Sequence, residues 1–494
     1  MAQITVTSSS RFFPDEPSSP HTFALSILDA SVSNFAPTAS AWVYNTPVEQ
    51  NLSLDIAHLQ KSFVKTLNVY PQWAGQLQYT KYNATGGHTS RSRRLEVIYG
   101  TSEDPGVEFV VANGSATVTS SFPSFEDRTS GLAAFDASSL GELDLLPKIP
   151  ALAPRTNGDS NGLPCLIVQV TAFKCGGVVI ALKVSHPLAD AQTLALFVHD
   201  WAAINSALAR NVLPPILARP FCPADLDRAA LGDIDATAPD PEIIETAQEL
   251  PIHRYDWWAS ADGCPFGALE STNIPPHLTS LGDIELGPPI PWAEWDVEAP
   301  VSNFLLYFSV DEIARIWAAA SSPGQIISRF DALQAHLWSV LIRAQEPESE
   351  EEQFHFNLSL GARDRVAPAL GEHFLGSPIV LARATGTRAM SLPQLARTIR
   401  GTLAQFTHTR VAALLHEMAF DVDARRMWGA FVGRRNTIIT SWLRLGVYEI
   451  MEGMPQSTAG GPWYLDGASV SLMLTTRVIQ RMLRDPLLRK YRSE

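Results

Sequence analysis

A histidine and an aspartate stand four residues apart in the run Ser185-His186-Pro187-Leu188-Ala189-Asp190. Imidazole is the side chain whose unperturbed titration falls nearest neutrality, which makes His186 the natural general base of the chain. Such a base suits transfer of an acyl group from a thioester to a hydroxyl or an amine. An alcohol is a poor nucleophile until its proton is being removed, whereas the thioester is already activated and calls for no metal. The neighbouring carboxylate has three readings. Asp190 can fix the orientation of the ring, build the loop by binding an arginine, or cap the helix that follows. The four-residue spacing occurs often enough by chance to decide nothing alone.

The elements that must position these two side chains are legible. Residues 165–173 and 178–185 read as strands joined by a turn at Gly176-Gly177. Pro187 disfavours helical backbone at His186, so the histidine sits at a strand exit, where a side chain can enter a cleft from a fixed backbone. A helix follows from about Ala191, with Leu194, Phe197, Val198, Trp201 and Ile204 on one face. Upstream, Ser53 is expected to cap a helix whose apolar face is Ile56, Leu59, Phe63 and Leu67. In the second half, residues 301–310 read as a strand and Ser309 as the cap of a helix over 311–320. Ser328 and Asp331 form a capping-box pattern opening a helix through Leu333, Leu337, Val340 and Leu341. Strands are expected at 354–360 and 378–383 and a helix at 393–406. This is a mixed α/β (α+β) chain without the regular rhythm of a doubly wound sheet.

A chain of 494 residues is too long for one ordinary core, and 46% apolar residues suffice for two. The expected division is a first domain over 1–210 and a second over 301–494. Between them lies a Pro-rich crossover, 211–300, with Trp257, Trp258, Trp292 and Trp295 scattered through it. The net charge of −14 repels nucleic acid and anionic membranes, so neither is an expected partner. No apolar run reaches the roughly 20 residues that span a bilayer. Cys165, Cys175, Cys222 and Cys264 have the spacing of neither a zinc site nor a disulfide framework, and no HExxH pattern occurs, so no metal is expected. The opening MAQITVTSSS lacks the basic-then-apolar order of a secretory signal, and the expected compartment is the cytoplasm, with reduced thiols. P-loop, Rossmann and nucleophile-elbow patterns are absent.

Further blocks point to a family. HPLADAQTL (186–194) resembles the HxxxD signature and continuation of the BAHD acyltransferases, especially fungal members such as the trichothecene O-acetyltransferases. HTFALSILD (21–29) is similar to their opening strand, and LQKSFVKTLNVYPQWAGQL (59–77) to their first long helix and the segment after it. TSWLRLGVYEI (440–450) resembles the strand that leads to the family's second signature, and ISRFDALQAHLWSVLIRA (327–344), LSLGARDRVAPALGEHFLGSPI (358–379) and QRMLRDPLLRKY (480–491) resemble other blocks in family order. One departure is clear. The family's DFGWG should follow Tyr448-Glu449-Ile450, where this chain reads Met451-Glu452-Gly453-Met454-Pro455.

The resemblance implies two chloramphenicol-acetyltransferase-like domains, each a mixed sheet with helices, and a channel between them with His186 midway. It implies an acyl-CoA co-substrate, acetyl-CoA by the fungal likeness, with no tightly bound cofactor and no metal. The acceptor would be a small hydroxylated or amine secondary metabolite, and the protein a monomer. By position in matching blocks, Ser328 and Arg363 are the expected coenzyme A contacts, with Arg365 an alternative to Arg363. Thr440, Ser441 and Trp442 are the expected lining near the oxyanion. Two other functions remain in view. A condensation-type enzyme fed by a carrier protein would show a doubled histidine and a glycine after the aspartate, where this chain has Ser185 and Ala191. A non-catalytic ligand-binding relative would tolerate the altered second signature.

Overall fold

The computed structural model of the chain describes residues 3–16, 18–45, 54–122, 124, 134–137, 144–146, 162–281, 284–447 and 467–492. The first half supplies strands β1 (Ile4–Phe12), β2 (His21–Ala24), β3 (Thr38–Tyr44), β4 (Gln76–Tyr79), β5 (Leu95–Tyr99), β6 (Val107–Gly114), β7 (Phe135–Asp136), β8 (Leu166–Phe173) and β9 (Val178–Val184). Five of them build a sheet in the order β1-β6-β8-β9-β3, antiparallel except for the parallel β6–β8 pair. The central pair, β8 and β9, is buried along nearly its whole length, as near-continuous apolar runs require when both faces are covered. The turn joining them needs a positive φ, which Gly176 supplies at +82°. The polar strand β1 is exposed and bulged between Val6 and Ser8, as suits a sheet edge. The strands β2, β5 and β4 form a small antiparallel sheet beside it.

The helices of this half include α1 (Ile27–Ser31), α2 (Ile56–Leu67) and α3 (Ala191–Ala209). Leu59, Phe63 and Leu67 of α2 and Leu194, Phe197 and Trp201 of α3 share one core with Val168, Val170, Ile180 and Leu182 of the sheet. The cap of α2 is Asp55, whose side chain accepts from His58 N; the cap expected at Ser53 falls outside the described residues.

The second half supplies β10 (Tyr255–Asp256), β11 (Val301–Phe308), β12 (Phe354–Gly361), β13 (Ile379–Gly386), β14 (Met427–Trp428), β15 (Asn436–Ile439) and β16 (Ala468–Thr475). Its helices are α4 (Pro241–Gln248), α5 (Val310–Ala320), α6 (Arg329–Ala344), α7 (Leu392–Ala404), α8 (His408–Ala419) and α9 (Thr476–Arg484). The sheet β13-β12-β15 is again mixed, antiparallel at β12–β13 and parallel at β12–β15. Ser309 caps α5, and Ser328 with Asp331 closes a capping box on α6. The fold is therefore a mixed α/β architecture of two mixed-sheet lobes. Residues 211–300 hold α4, short turns and an aromatic knot in which Trp257 and Trp292 pack with Trp428 and Phe431. Among the described residues no helix is long and apolar enough to cross a membrane.

The two lobes exchange pieces of chain. The first-half strand β7 pairs with β11 in the antiparallel sheet β16-β11-β7. Ile27 and Leu28 of α1 are buried in the second-half core, and Leu375 is buried in the first-half core. One expectation is corrected. Residues 440–447 are not a strand: β15 ends at Ile439, and the chain turns through 443–447 instead. Residues 448–450 and the altered signature Met451–Pro455 lie outside the described residues.

Candidate active site

Strand β9 ends at Val184, and Ser185 N still bonds to Cys165 O, so the backbone entering the HxxxD turn is anchored in the sheet. His186, Pro187 and Leu188 make one short helical turn, closed by Ala189 N on His186 O at 3.1 Å. Thr38 Oγ1 donates to Ala189 O at 2.6 Å and fixes the turn from β3.

Asp190 does two of the three things its position allowed. Its Oδ1 accepts from Thr193 N at 2.9 Å, which caps α3. Its two oxygens also receive the Arg363 guanidinium, Nη1 to Oδ2 at 2.6 Å and Nη2 to Oδ1 at 3.0 Å. Both residues are buried, 6% and 4% exposed. The remaining donors of Arg363 are used as well: Nε on Phe374 O at 3.1 Å and Nη2 on Thr193 Oγ1 at 2.9 Å. This corrects the expected coenzyme A contact at Arg363. Its guanidinium is buried and spent on Asp190, Thr193 and Phe374, which leaves it no donor for a phosphate. Arg363 is a brace that ties the loop before β13 to the HxxxD turn. The alternative, Arg365, gives its Nη1 to Leu403 O and Phe406 O.

The same loop reaches the histidine. Asp190 N bonds to Gly376 O at 3.0 Å, and the next residue, Ser377, places its Oγ 2.9 Å from His186 Nδ1. Ser377 is fully buried, and its N–H donates to Asp29 Oδ1 at 2.5 Å. Asp29 is itself fully buried in α1, where its Oδ2 accepts from Ser26 Oγ at 2.6 Å and from Ser26 N at 3.2 Å. Burial pushes the Asp29 carboxyl up to about 6, against the pull of these bonds. Gly376 has φ +138°, and a Cβ there would fall 2.7 Å from Asp29 Oδ1, so only glycine lets the loop pass this close. On its other side the imidazole meets Phe35 edge-to-face, with centroids 5.5 Å apart. Burial holds the His186 pKa below the usual histidine value, opposed by a bond to its own backbone and by the Asp190 charge.

Sequence reasoning named His186, Asp190 and Arg363, and the structure brings these three together, with the arginine in a different role. It missed Asp29, Phe35 and Ser377. A local signal existed for Asp29, since Ser26-x-x-Asp29 is a capping box. Its contact with Ser377, 348 residues away, had none.

The other expected residues lie apart from His186. Ser328 sits at the head of α6, where its Oγ accepts from Asp331 N at 3.1 Å and its own N–H donates to Asp331 Oδ2 at 2.6 Å. Ser328 and Arg363 are thus not brought together. Thr440 and Ser441 are exposed, and Trp442 packs partly against the first-half core. All three line a cavity of about 1380 Å³ among the described residues, together with Trp295, Gln334 and Thr437. His186 is not among its walls. Three other histidines have structural work, each donating to a backbone oxygen: His199 to Leu445, His336 to Leu488 and His416 to Leu231.

Comparison with known proteins finds similarity to acyltransferases in sequence and fold. Residues 2–229, which contain the HxxxD turn, match the model of the Transferase family. Acyltransferase abl6 of Leptosphaeria maculans is 27% identical over 98% of this chain and 98% of its own length. Acyltransferase AFT15-1 of Alternaria alternata is 26% identical over 91% of this chain and 85% of its own. Agmatine hydroxycinnamoyltransferase 1 of Oryza sativa subsp. japonica is 23% identical over 93% and 88%. In fold, the chain resembles vinorine synthase, with TM-score 0.59, 18% identity and 98% of both chains covered. It also resembles TRI101 of F. sporotrichioides, solved with coenzyme A and T-2, with TM-score 0.59, 16% identity and 95% and 98% coverage.

Proposed function

We propose that the chain is a BAHD-like acyltransferase, as its match to the Transferase family over residues 2–229 and its likeness to fungal acyltransferases support, that it takes its acyl group from a coenzyme A thioester, and that His186 is the general base. The acyl group is acetyl in this reading, and the acceptor is a small hydroxylated or amine secondary metabolite. The protein acts as a monomer in the cytoplasm, without metal or tightly bound cofactor.

The observation that carries the reading is the setting of the imidazole. Its Nδ1 is held by Ser377 Oγ, its ring by Phe35, and burial keeps it neutral near pH 7. With Nδ1 donating to Ser377, the lone pair lies on Nε2, free for the acceptor's proton. As that proton leaves, the acceptor oxygen or nitrogen bonds to the thioester carbon and a tetrahedral oxyanion forms. Collapse breaks the carbon–sulfur bond, and the imidazolium returns its proton to the departing thiolate. The cycle leaves the histidine unchanged and needs no redox partner. Ser328 is proposed to lie near coenzyme A, and Thr440, Ser441 and Trp442 to bind substrate in the large cavity they line rather than the oxyanion at His186.

The test is thiol release with acetyl-CoA and longer acyl-CoAs against hydroxylated and amine acceptors, with product followed by mass spectrometry and His186→Ala run in parallel. Turnover that collapses in the variant supports the reading. Turnover that survives removes His186 as the base. Silence, together with no binding of coenzyme A by direct titration, favours the non-catalytic relative.

A further inference from the structure

Phe35 has a second contact surface. Its ring meets His186 on one side and on the other lines a cavity of about 130 Å³. Its apolar lining is formed by Leu28 of α1 and Val32 just after it, Ile379 and Leu381 of β13, Leu414 of α8 and Met427. Ile379 lies two residues beyond Ser377, so the cavity adjoins the histidine through both of its partners. The opposite end is polar and carries His253, Arg254, Glu417 and Asp421.

One carboxylate at that end stands outside the ion pairs around it. Arg254 and Glu417 pair at 3.0 Å. Just behind them Arg426 pairs with Asp256 at 2.7 Å and Arg425 with Asp423 at 2.6 Å. Among the described residues the Asp421 carboxylate has neither a hydrogen bond nor an ion pair; its backbone is used, the oxygen by Ser92 Oγ and the N–H on Met418 O. His253 is 3% exposed, and its Nε2 has no partner either. Burial, with Arg383 and His355 nearby, pushes His253 down to about 3, so it is neutral and cannot balance Asp421. Burial, reinforced by Glu417, pushes Asp421 up to about 7. A half-buried carboxylate without an ion pair at the polar end of a largely apolar cavity favours a bound cation.

We infer that this cavity is the acceptor subsite and that the acceptor carries a protonated amine or a guanidinium, bound by the Asp421 carboxylate, with its nucleophilic hydroxyl or second amine directed past Phe35 to His186. The inference rests on His186 as the base and adds the class of acceptor. It makes Asp421 the specificity-determining residue. Asp421 discriminates by charge, while the apolar wall accepts the spacer between the cation and the nucleophile. The Arg254–Glu417 pair, neutral as a unit, completes the rim without competing for the cation.

Acceptor pairs that differ chiefly in charge test it: tyramine against 4-ethylphenol, and 5-aminopentan-1-ol against pentan-1-ol, each with acyl-CoA and followed by coenzyme A release. The cationic member should be favoured roughly thirtyfold or more in kcat/KM, mainly through KM. Asp421→Asn should bring the members of each pair within about threefold, and Asp421→Glu should restore the preference, which separates lost charge from lost folding. Equal use of the neutral members by the wild type, or a preference that survives D421N, overturns the inference. Calorimetric binding of agmatine and tyramine to wild type, H186A and D421N separates it from the base reading. Binding that persists in H186A and is lost in D421N supports the cation site even where no acceptor turns over. Failure of the wild type to bind either amine, with no cationic acceptor turned over, overturns it.

Discussion

Asp190→Asn isolates what the aspartate of the HxxxD turn contributes. Asparagine is as good a helix cap as aspartate, so the bond from Thr193 N at 2.9 Å survives and α3 keeps its start. What changes lies at the other oxygen. Arg363 Nη1 now faces an amide N–H₂ across the 2.6 Å once spanned to Oδ2, donor against donor, and a guanidinium 4% exposed has lost its counter-charge. Breaking a buried ion pair by removing one partner costs about 3–5 kcal/mol. That is a large part of the stability of an ordinary domain, so the urea midpoint should fall steeply. The double variant D190N/R363M should recover part of the loss, because it removes the orphaned charge as well. Catalysis should respond differently. The carboxylate is turned to the arginine, and its charge only nudges the imidazole upward. Below the melting range D190N should therefore keep the form of its kcat/KM profile, with any movement of the midpoint toward lower pH. Urea unfolding and pH–rate profiles on the same preparations decide the matter. A variant of unchanged stability whose turnover has collapsed would refute the brace and make Asp190 the partner of the imidazole.

Two further predictions concern histidines. The base must be neutral to act, and burial lowers its pKa, so kcat/KM should rise with pH through a midpoint below the ordinary histidine value of about 6.5 and be flat at neutrality; Ser377→Ala should lower kcat by about tenfold with KM little changed, the worth of one hydrogen bond to Nδ1. His253 and His355, pushed down to about 3 and 4 by burial and by Arg383, stay neutral in the folded state while the unfolded chain takes up protons. Stability should therefore fall as pH drops from about 6.5 toward 4. Urea midpoints of H253N/H355N should depend less on pH than those of the wild type over that window.

What could be read from the sequence and what could not divide along a physical line. The hairpin 166–184, the caps at Ser309 and Ser328 and the strands at 354 and 379 are local, written in alternation, capping residues and glycine turns. HxxxD was legible for the same reason, since strand, proline and helix start occupy consecutive residues. The role of Asp190 was not legible, because a carboxylate four residues from a histidine looks the same whether or not an arginine 173 residues away has claimed it. Arg363 was misread for the complementary reason: an arginine in a polar loop resembles a phosphate ligand until its burial is known. The strand expected at 440–450 fails because Thr440, Ser441 and Trp442 have strand character, yet the parallel pairing of β15 with β12 ends at Ile439. Beta preference without a partner strand does not make a strand.

The exchange of segments between lobes explains why the histidine's partners escaped a linear reading. His186 leaves the first-half sheet, and the Ser377 that holds it belongs to the loop entering β13. The Asp29 that holds Ser377 comes from the first half again, on a helix buried in the second-half core. The chain thus crosses between lobes twice within three side chains. Leu375, two residues before Ser377, is buried in the opposite core and fixes the crossing from the other direction. A histidine anchored by one lobe alone would keep its geometry when the lobes separate. Here the 2.9 Å bond at Nδ1 joins the two lobes. The orientation of the imidazole is therefore set by both lobes, and the Asp190–Arg363 pair, buried beside the same loop, is a second bond between them.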